Sequence, residues 1–68
     1  MDAKAISRVE NHLRVTFANP SLAVKARKQN DSAEVYIADE FIGVIYEDED
    51  EAGSFLFEMA ILAEDLSA

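Results

Sequence analysis

The stretch Glu34-Val35-Tyr36-Ile37-Ala38-Asp39-Glu40-Phe41-Ile42-Gly43-Val44-Ile45-Tyr46-Glu47 carries the strongest folding instruction in this 68-residue chain. Two runs rich in β-branched and aromatic residues, Val35-Tyr36-Ile37 and Phe41 to Tyr46, flank the short polar interruption Asp39-Glu40, the signature of a β-hairpin. With Asp39-Glu40 as a two-residue loop, Ile37 faces Ile42 and Val35 faces Val44, so apolar residues pair across the strands on one side. On the opposite side Tyr36 would cover Gly43, a strand glycine that otherwise weakens a sheet. Neither Asp nor Glu readily takes the positive φ of a type I′ turn, so a loop of three or four residues remains the alternative.

Upstream of the hairpin, Leu22, Val24 and Ala26 alternate with Ala23, Lys25 and Arg27, a period of two that predicts a half-buried strand over about 22–28. Before it the period lengthens. Ile6, Val9, Leu13 and Phe17 fall on one stripe and predict an amphipathic helix over about 3–17, with Asp2 as N-cap and Asn19-Pro20 as the stop. Glu10 and Arg14 form an i,i+4 pair in the favoured orientation.

Downstream, Glu47 to Gly53 is a charged connector, and Phe55, Phe57, Met59 and Ile61 alternate with Leu56, Glu58, Ala60 and Leu62. That alternation predicts a fourth strand over about 54–62. Helical spacing of Phe57 with Ile61, and the helix-forming Met, Ala, Leu and Glu residues, leave a helix from about Phe57 to Leu66 as the competing reading. The two hairpin strands are placed at about 33–38 and 41–47. The expected fold is therefore α+β, one N-terminal helix packed on a four-stranded antiparallel meander, in a single domain covering residues 1–68.

Met1-Asp2-Ala3-Lys4-Ala5-Ile6, Asn19-Pro20-Ser21-Leu22, Asp31-Ser32-Ala33-Glu34-Val35-Tyr36-Ile37, Asp39-Glu40-Phe41-Ile42-Gly43-Val44 with the acidic run behind it, and Phe57 through Leu62 together resemble a family of short, uncharacterised bacterial proteins known as a domain of unknown function. The resemblance spans nearly the whole chain. It implies a stand-alone domain and carries no activity, substrate or catalytic residue with it.

Composition narrows the function classes. The first 30 residues hold all six basic residues (Lys4, Arg8, Arg14, Lys25, Arg27, Lys28) and two acids, a net +4, whereas residues 31–68 hold twelve acids and no base, a net −12. The asymmetry points to charge-directed association. Only one histidine, His12, is present, with no cysteine and no tryptophan, and Gly43 and Gly53 are the only glycines, so neither a phosphate-cradling loop nor a nucleophile elbow can be written. No enzyme is expected, and His12 is read as packing at the edge of the core. Asp48-Glu49-Asp50-Glu51-Ala52-Gly53 resembles the opening of a calcium-binding loop, but Ala52 and Met59 stand where oxygen ligands belong. No cofactor and no specific metal are expected. The basic patch Lys25-Arg27-Lys28 lacks interleaved aromatics, which argues against nucleic acid. No apolar run approaches a membrane span and no signal peptide is evident, so a cytoplasmic location is expected.

The strongest functional signal is a surplus of apolar surface. If Val35, Ile37, Ile42, Val44, Tyr46, Phe55, Phe57, Met59 and Ile61 face the helix, then Tyr36, Phe41, Ile45, Leu56 and Leu62 remain on the other side, where one helix cannot cover them. Such a patch marks an interaction surface. The expected function is a small protein–protein interaction module, a homodimer or accessory subunit, and the alternative is an acidic mimic of nucleic acid that occupies a basic partner protein.

Overall fold

Asp2 starts the first element as expected: its carboxylate accepts a hydrogen bond of 2.8 Å from the Ala5 amide and caps α1, Ala3–Thr16. The computed structural model describes residues 1–66. Helix α1 ends before Asn19-Pro20, at Phe17, in a Schellman motif. The Ala18 amide bonds the Val15 carbonyl at 3.2 Å and the Asn19 amide bonds the Arg14 carbonyl at 3.0 Å. Ala18 takes the left-handed φ of 51° that this motif demands, a position glycine fills at less cost.

Four antiparallel strands follow in the order β1-β2-β3-β4: β1 Leu22–Ala26, β2 Ser32–Ile37, β3 Glu40–Glu47 and β4 Phe55–Met59. This is the anticipated meander. The competing helix from Phe57 to Leu66 does not form; β4 ends at Met59 and, among the described residues, only a short 3₁₀ turn, Ala63–Asp65, lies beyond it. Strands β1 and β4 are shorter than their expected ranges. The core consists of Val9 and Leu13 from α1, Leu22 and Val24 from β1, Ala33 and Val35 from β2, and Ile45 from β3.

The hairpin departs from expectation by one residue, with large effects. The loop is Ala38-Asp39, not Asp39-Glu40, and both residues carry positive φ, 50° and 67°, the pair of values a type I′ turn requires. Ile37 therefore opposes Glu40, and Tyr36 opposes Phe41. A bulge then intervenes: Val35 opposes Gly43, so Ile42 is the extra residue on β3. Past the bulge, Ala33 pairs with Ile45 and Ser32 with Tyr46. Because side chains alternate with a period of two, this slip sends Ile45 to the helix side and turns Val44 and Tyr46 away from it. Gly43 lies beneath Phe57, not Tyr36. A Cβ at Gly43 would meet the Phe57 ring at 2.7 Å and the Glu58 carbonyl oxygen closer still.

The Glu10–Arg14 pair forms as expected, at 3.4 Å, but both partners also reach the sheet. Arg14 Nε donates to the Leu22 carbonyl at 2.7 Å, and Glu10 Oε2 accepts from the Val24 amide at 2.9 Å. Helix α1 thus lies along the β1 border and satisfies two of its outward backbone groups, the Leu22 carbonyl and the Val24 amide.

Candidate interaction surface

The face of the sheet opposite α1 is built from alternate residues of every strand. Ala23 and Lys25 come from β1, Glu34 and Tyr36 from β2, Phe41, Val44 and Tyr46 from β3, and Leu56 and Glu58 from β4, aligned by the pairs Ala23–Tyr36, Lys25–Glu34, Tyr36–Phe41, Glu34–Val44, Tyr46–Leu56 and Val44–Glu58. No other element packs on this side among the described residues. Phe41 and Leu56 are each about half exposed, 51% and 53%.

Three of the five expected surface residues, Tyr36, Phe41 and Leu56, share this face. Ile45 does not. It is buried at 2% exposure under α1, opposite Phe57, because the bulge at Ile42 inverts the parity of β3 beyond it. Leu62 is exposed, at 51%, but lies three residues past the end of β4. Val44 and Tyr46, placed under the helix by the sequence pattern, belong to the outer face instead. Met59 and Ile61, also placed under the helix, stand open to solvent at 55% and 70%. Alternation alone signals which residues share a face; a bulge leaves no mark in it.

Polar contacts stiffen the patch on one side. Tyr36 and Phe41 meet edge to face, with ring centroids 5.7 Å apart and planes at 70°. The Lys25 ammonium stands 4.8 Å from the centre of the Tyr36 ring, within reach of a cation–π contact. The Tyr36 hydroxyl donates to Glu34 Oε1 at 2.8 Å. That hydrogen bond, aided by desolvation and by the Glu34 charge, raises the Tyr36 pKa above the ordinary 10.0.

The other candidate positions carry less. His12 is exposed, with Nε2 3.3 Å from Thr16 Oγ1, and borders a groove beside the core residues Val9 and Leu13. The acidic connector is ordered by its own backbone: Asp48 Oδ1 accepts from the Asp50 amide at 2.9 Å, the Asp48 amide bonds the Ser54 carbonyl at 2.9 Å, and Gly53 supplies the positive φ of 85°. Among the described residues no three His, Asp or Glu side chains converge as metal ligands would. Nor is any helix among them long and apolar enough to cross a membrane.

Residues 5–65 match the family model described as "Protein of unknown function (DUF3126)". The chain belongs to this family. The match covers nearly all of α1, the whole sheet and the 3₁₀ turn, in agreement with the resemblance carried by the sequence. No curated protein and no solved structure matches the chain.

Proposed function

We propose that this member of the family is a small cytoplasmic protein–protein interaction module without catalytic activity, docking through the outer face of its sheet. One observation carries the reading. Tyr36, Phe41, Val44, Tyr46 and Leu56 from three adjacent strands lie on a face that no element covers among the described residues, and continuous apolar faces of this kind serve as contact surfaces in water. Aromatic residues at its centre, with Lys25, Glu34 and Glu58 around them, match the composition of protein interfaces. The non-catalytic part of the reading is supported by the single histidine, which bonds only a threonine hydroxyl, and by the lack of cysteine.

Phe41→Asp tests it, since Phe41 is half exposed and its loss leaves the core untouched. Wild type and variant are compared for retention of proteins on the immobilised chain and for self-association by sedimentation. A species bound by wild type and lost by the variant, at unchanged melting temperature, is the expected result; identical behaviour in both assays overturns the reading.

The second reading, an acidic module occupying a basic partner, is favoured by the gathering of Asp31, Glu47, Asp48, Glu49, Asp50 and Glu58 around one shallow cleft of about 390 Å³. Salt separates the two: a contact made by the acidic cleft weakens steeply as ionic strength rises, and a contact made by the apolar face does not.

A further inference from the structure

The free border of β4 holds unbonded backbone. In β3 the Glu47 amide bonds back to Asp31 at 3.0 Å, whereas the Asp48 amide bonds forward to Ser54 at 2.9 Å. Alternation of bonded and non-bonded pairs in an antiparallel ladder extends this pattern along the strand. Glu58 and Leu56 are bonded to Val44 and Tyr46, while Phe55, Phe57 and Met59, opposite Glu47, Ile45 and Gly43, point their N–H and C=O groups away from the sheet. Proteins commonly protect such a border with lysine, proline or a covering element. Here β4 carries one charge, Glu58, and continues into the exposed apolar residues Ile61 and Leu62.

The overall dimensions point the same way. The chain has 5198 Å² of accessible surface, against about 4,200 Å² for a compact monomer of 7.5 kDa. Its radius of gyration is 12.5 Å, with extents of 41 × 23 × 21 Å, where about 11 Å is usual for 68 residues. The surplus, roughly 1,000 Å², is the area one partner hides in an interface of standard size, about 800 Å².

We propose that β4 pairs antiparallel with β4 of a second copy, centred on Phe57, to make one eight-stranded sheet. This goes beyond the outer-face reading, since it uses the border of the sheet and not its face. Four features select this occupant and this register. The β1 border has Glu10 on the Val24 amide and Arg14 on the Leu22 carbonyl, where an added strand would bond, which disfavours a head-to-tail chain of copies and favours a twofold pair. Centring on Phe57 aligns all five residues of β4 and makes Phe55–Met59 and Phe57–Phe57 the hydrogen-bonded pairs, the residues whose groups point outward. It also sets each Glu58 opposite the other copy's Leu56, whereas centring on Glu58 would oppose two carboxylates.

The fourth feature is a groove of about 510 Å³ between α1 and the start of β4, where Val9, Leu13, Ile45, Phe55 and Phe57 share the lining with Arg8, His12, Gly53 and Ser54. In the Phe57 register Met59 of one copy lies opposite Phe55 of the other, and Ile61 opposite Gly53. Met59 is on the helix side of the sheet and Ile61 follows two residues past the end of β4, so two exposed apolar side chains of one chain are brought to the open groove of the other.

Sedimentation equilibrium with amide exchange on the intact chain tests the pairing. Wild type is expected to dimerise, with the Phe57 amide gaining protection as concentration rises. Ile61→Asp, at a site 70% exposed and therefore harmless to the monomer, should raise the dissociation constant by at least about tenfold. Leu56→Glu should weaken the pair by about tenfold, and Leu56→Lys, which meets Glu58 of the other copy, should not. Phe41→Asp should leave the dimer intact. Because both copies carry net −8, added salt should tighten association.

A wild-type monomer at about 1 mM, the weak limit for a specific pair, overturns the proposal and leaves the outer-face reading to be judged by Phe41→Asp with a foreign partner. A dimer dispersed by Phe41→Asp but indifferent to Ile61→Asp also overturns it, and places self-association on the outer face instead.

Discussion

At the β1 border, Glu10 and Arg14 reach down from α1 to bond the outward amide of Val24 and the outward carbonyl of Leu22; along β4 no side chain among the described residues does the same for Phe55, Phe57 or Met59. The two borders belong to one small sheet and face the same water, yet the first is closed by an ion pair and the second is left bare. Edge strands template further pairing unless something stops them. A chain that closes one border and leaves the other open has restricted its growth to a single added strand.

The largest test bears on the strand that separates the two borders. Ile45 lies in the core beside β4, and Ile45→Ala should cost about 2–4 kcal/mol in chemical denaturation, whereas Ile61→Ala, beyond the open border, should change monomer stability by less than about 0.5 kcal/mol. A cost under about 1 kcal/mol at Ile45 would restore it to the outer face and undo the inverted register. Next comes the closed border itself. Glu10→Ala removes the acceptor on the Val24 amide, so a loss of about 1 kcal/mol is expected, together with faster exchange of that amide and new association through β1. Were neither to change, the ion pair would be an ornament of the surface and the contrast between borders would fail.

Two smaller effects sharpen the picture. Ala38 and Ala18 both hold left-handed backbone, φ 50° and 51°, so Ala38→Gly and Ala18→Gly should each stabilise by about 0.5–1 kcal/mol in thermal unfolding. A loss at Ala38 would mean that the turn is not the one that sets the β3 register. The smallest effect is alkaline. The raised pKa of Tyr36 means the folded chain holds that proton more tightly than the unfolded chain does. The associated stability is whole below about pH 10, the ordinary tyrosine value, and falls as pH climbs toward the folded value. Absorbance titration should show one of the two tyrosines ionising late, and Glu34→Gln should bring it back toward the ordinary range.

Element order and type were legible in the residues because each element is announced by its own period: Ile6, Val9, Leu13 and Phe17 at helical spacing, then Leu22, Val24 and Ala26 by twos. The outer face was legible in kind but only partly in membership. Tyr36, Phe41 and Leu56 could be assigned by alternation, whereas Ile45, Val44 and Tyr46 changed sides for one local reason that alternation does not encode, the extra residue Ile42 in β3. The turn, moved one residue toward the N-terminus by the positive φ of Ala38, re-pairs the strands two residues over and by itself keeps every side chain on its expected face. A turn-type preference expects glycine or asparagine at such a place. The bonds from Glu10 and Arg14 to β1 were equally hidden: the i,i+4 spacing announces the ion pair but not the strand beneath it.

The meander has one more consequence, for the order in which the molecule assembles. Each strand pairs only with its neighbour in sequence, and α1 is tied to β1 across eight and fourteen residues by Arg14 and Glu10. Short-range closure of this sort makes for rapid folding, and it leaves β4, tethered by the acidic connector and held on one side only, as the segment that docks last and frays first.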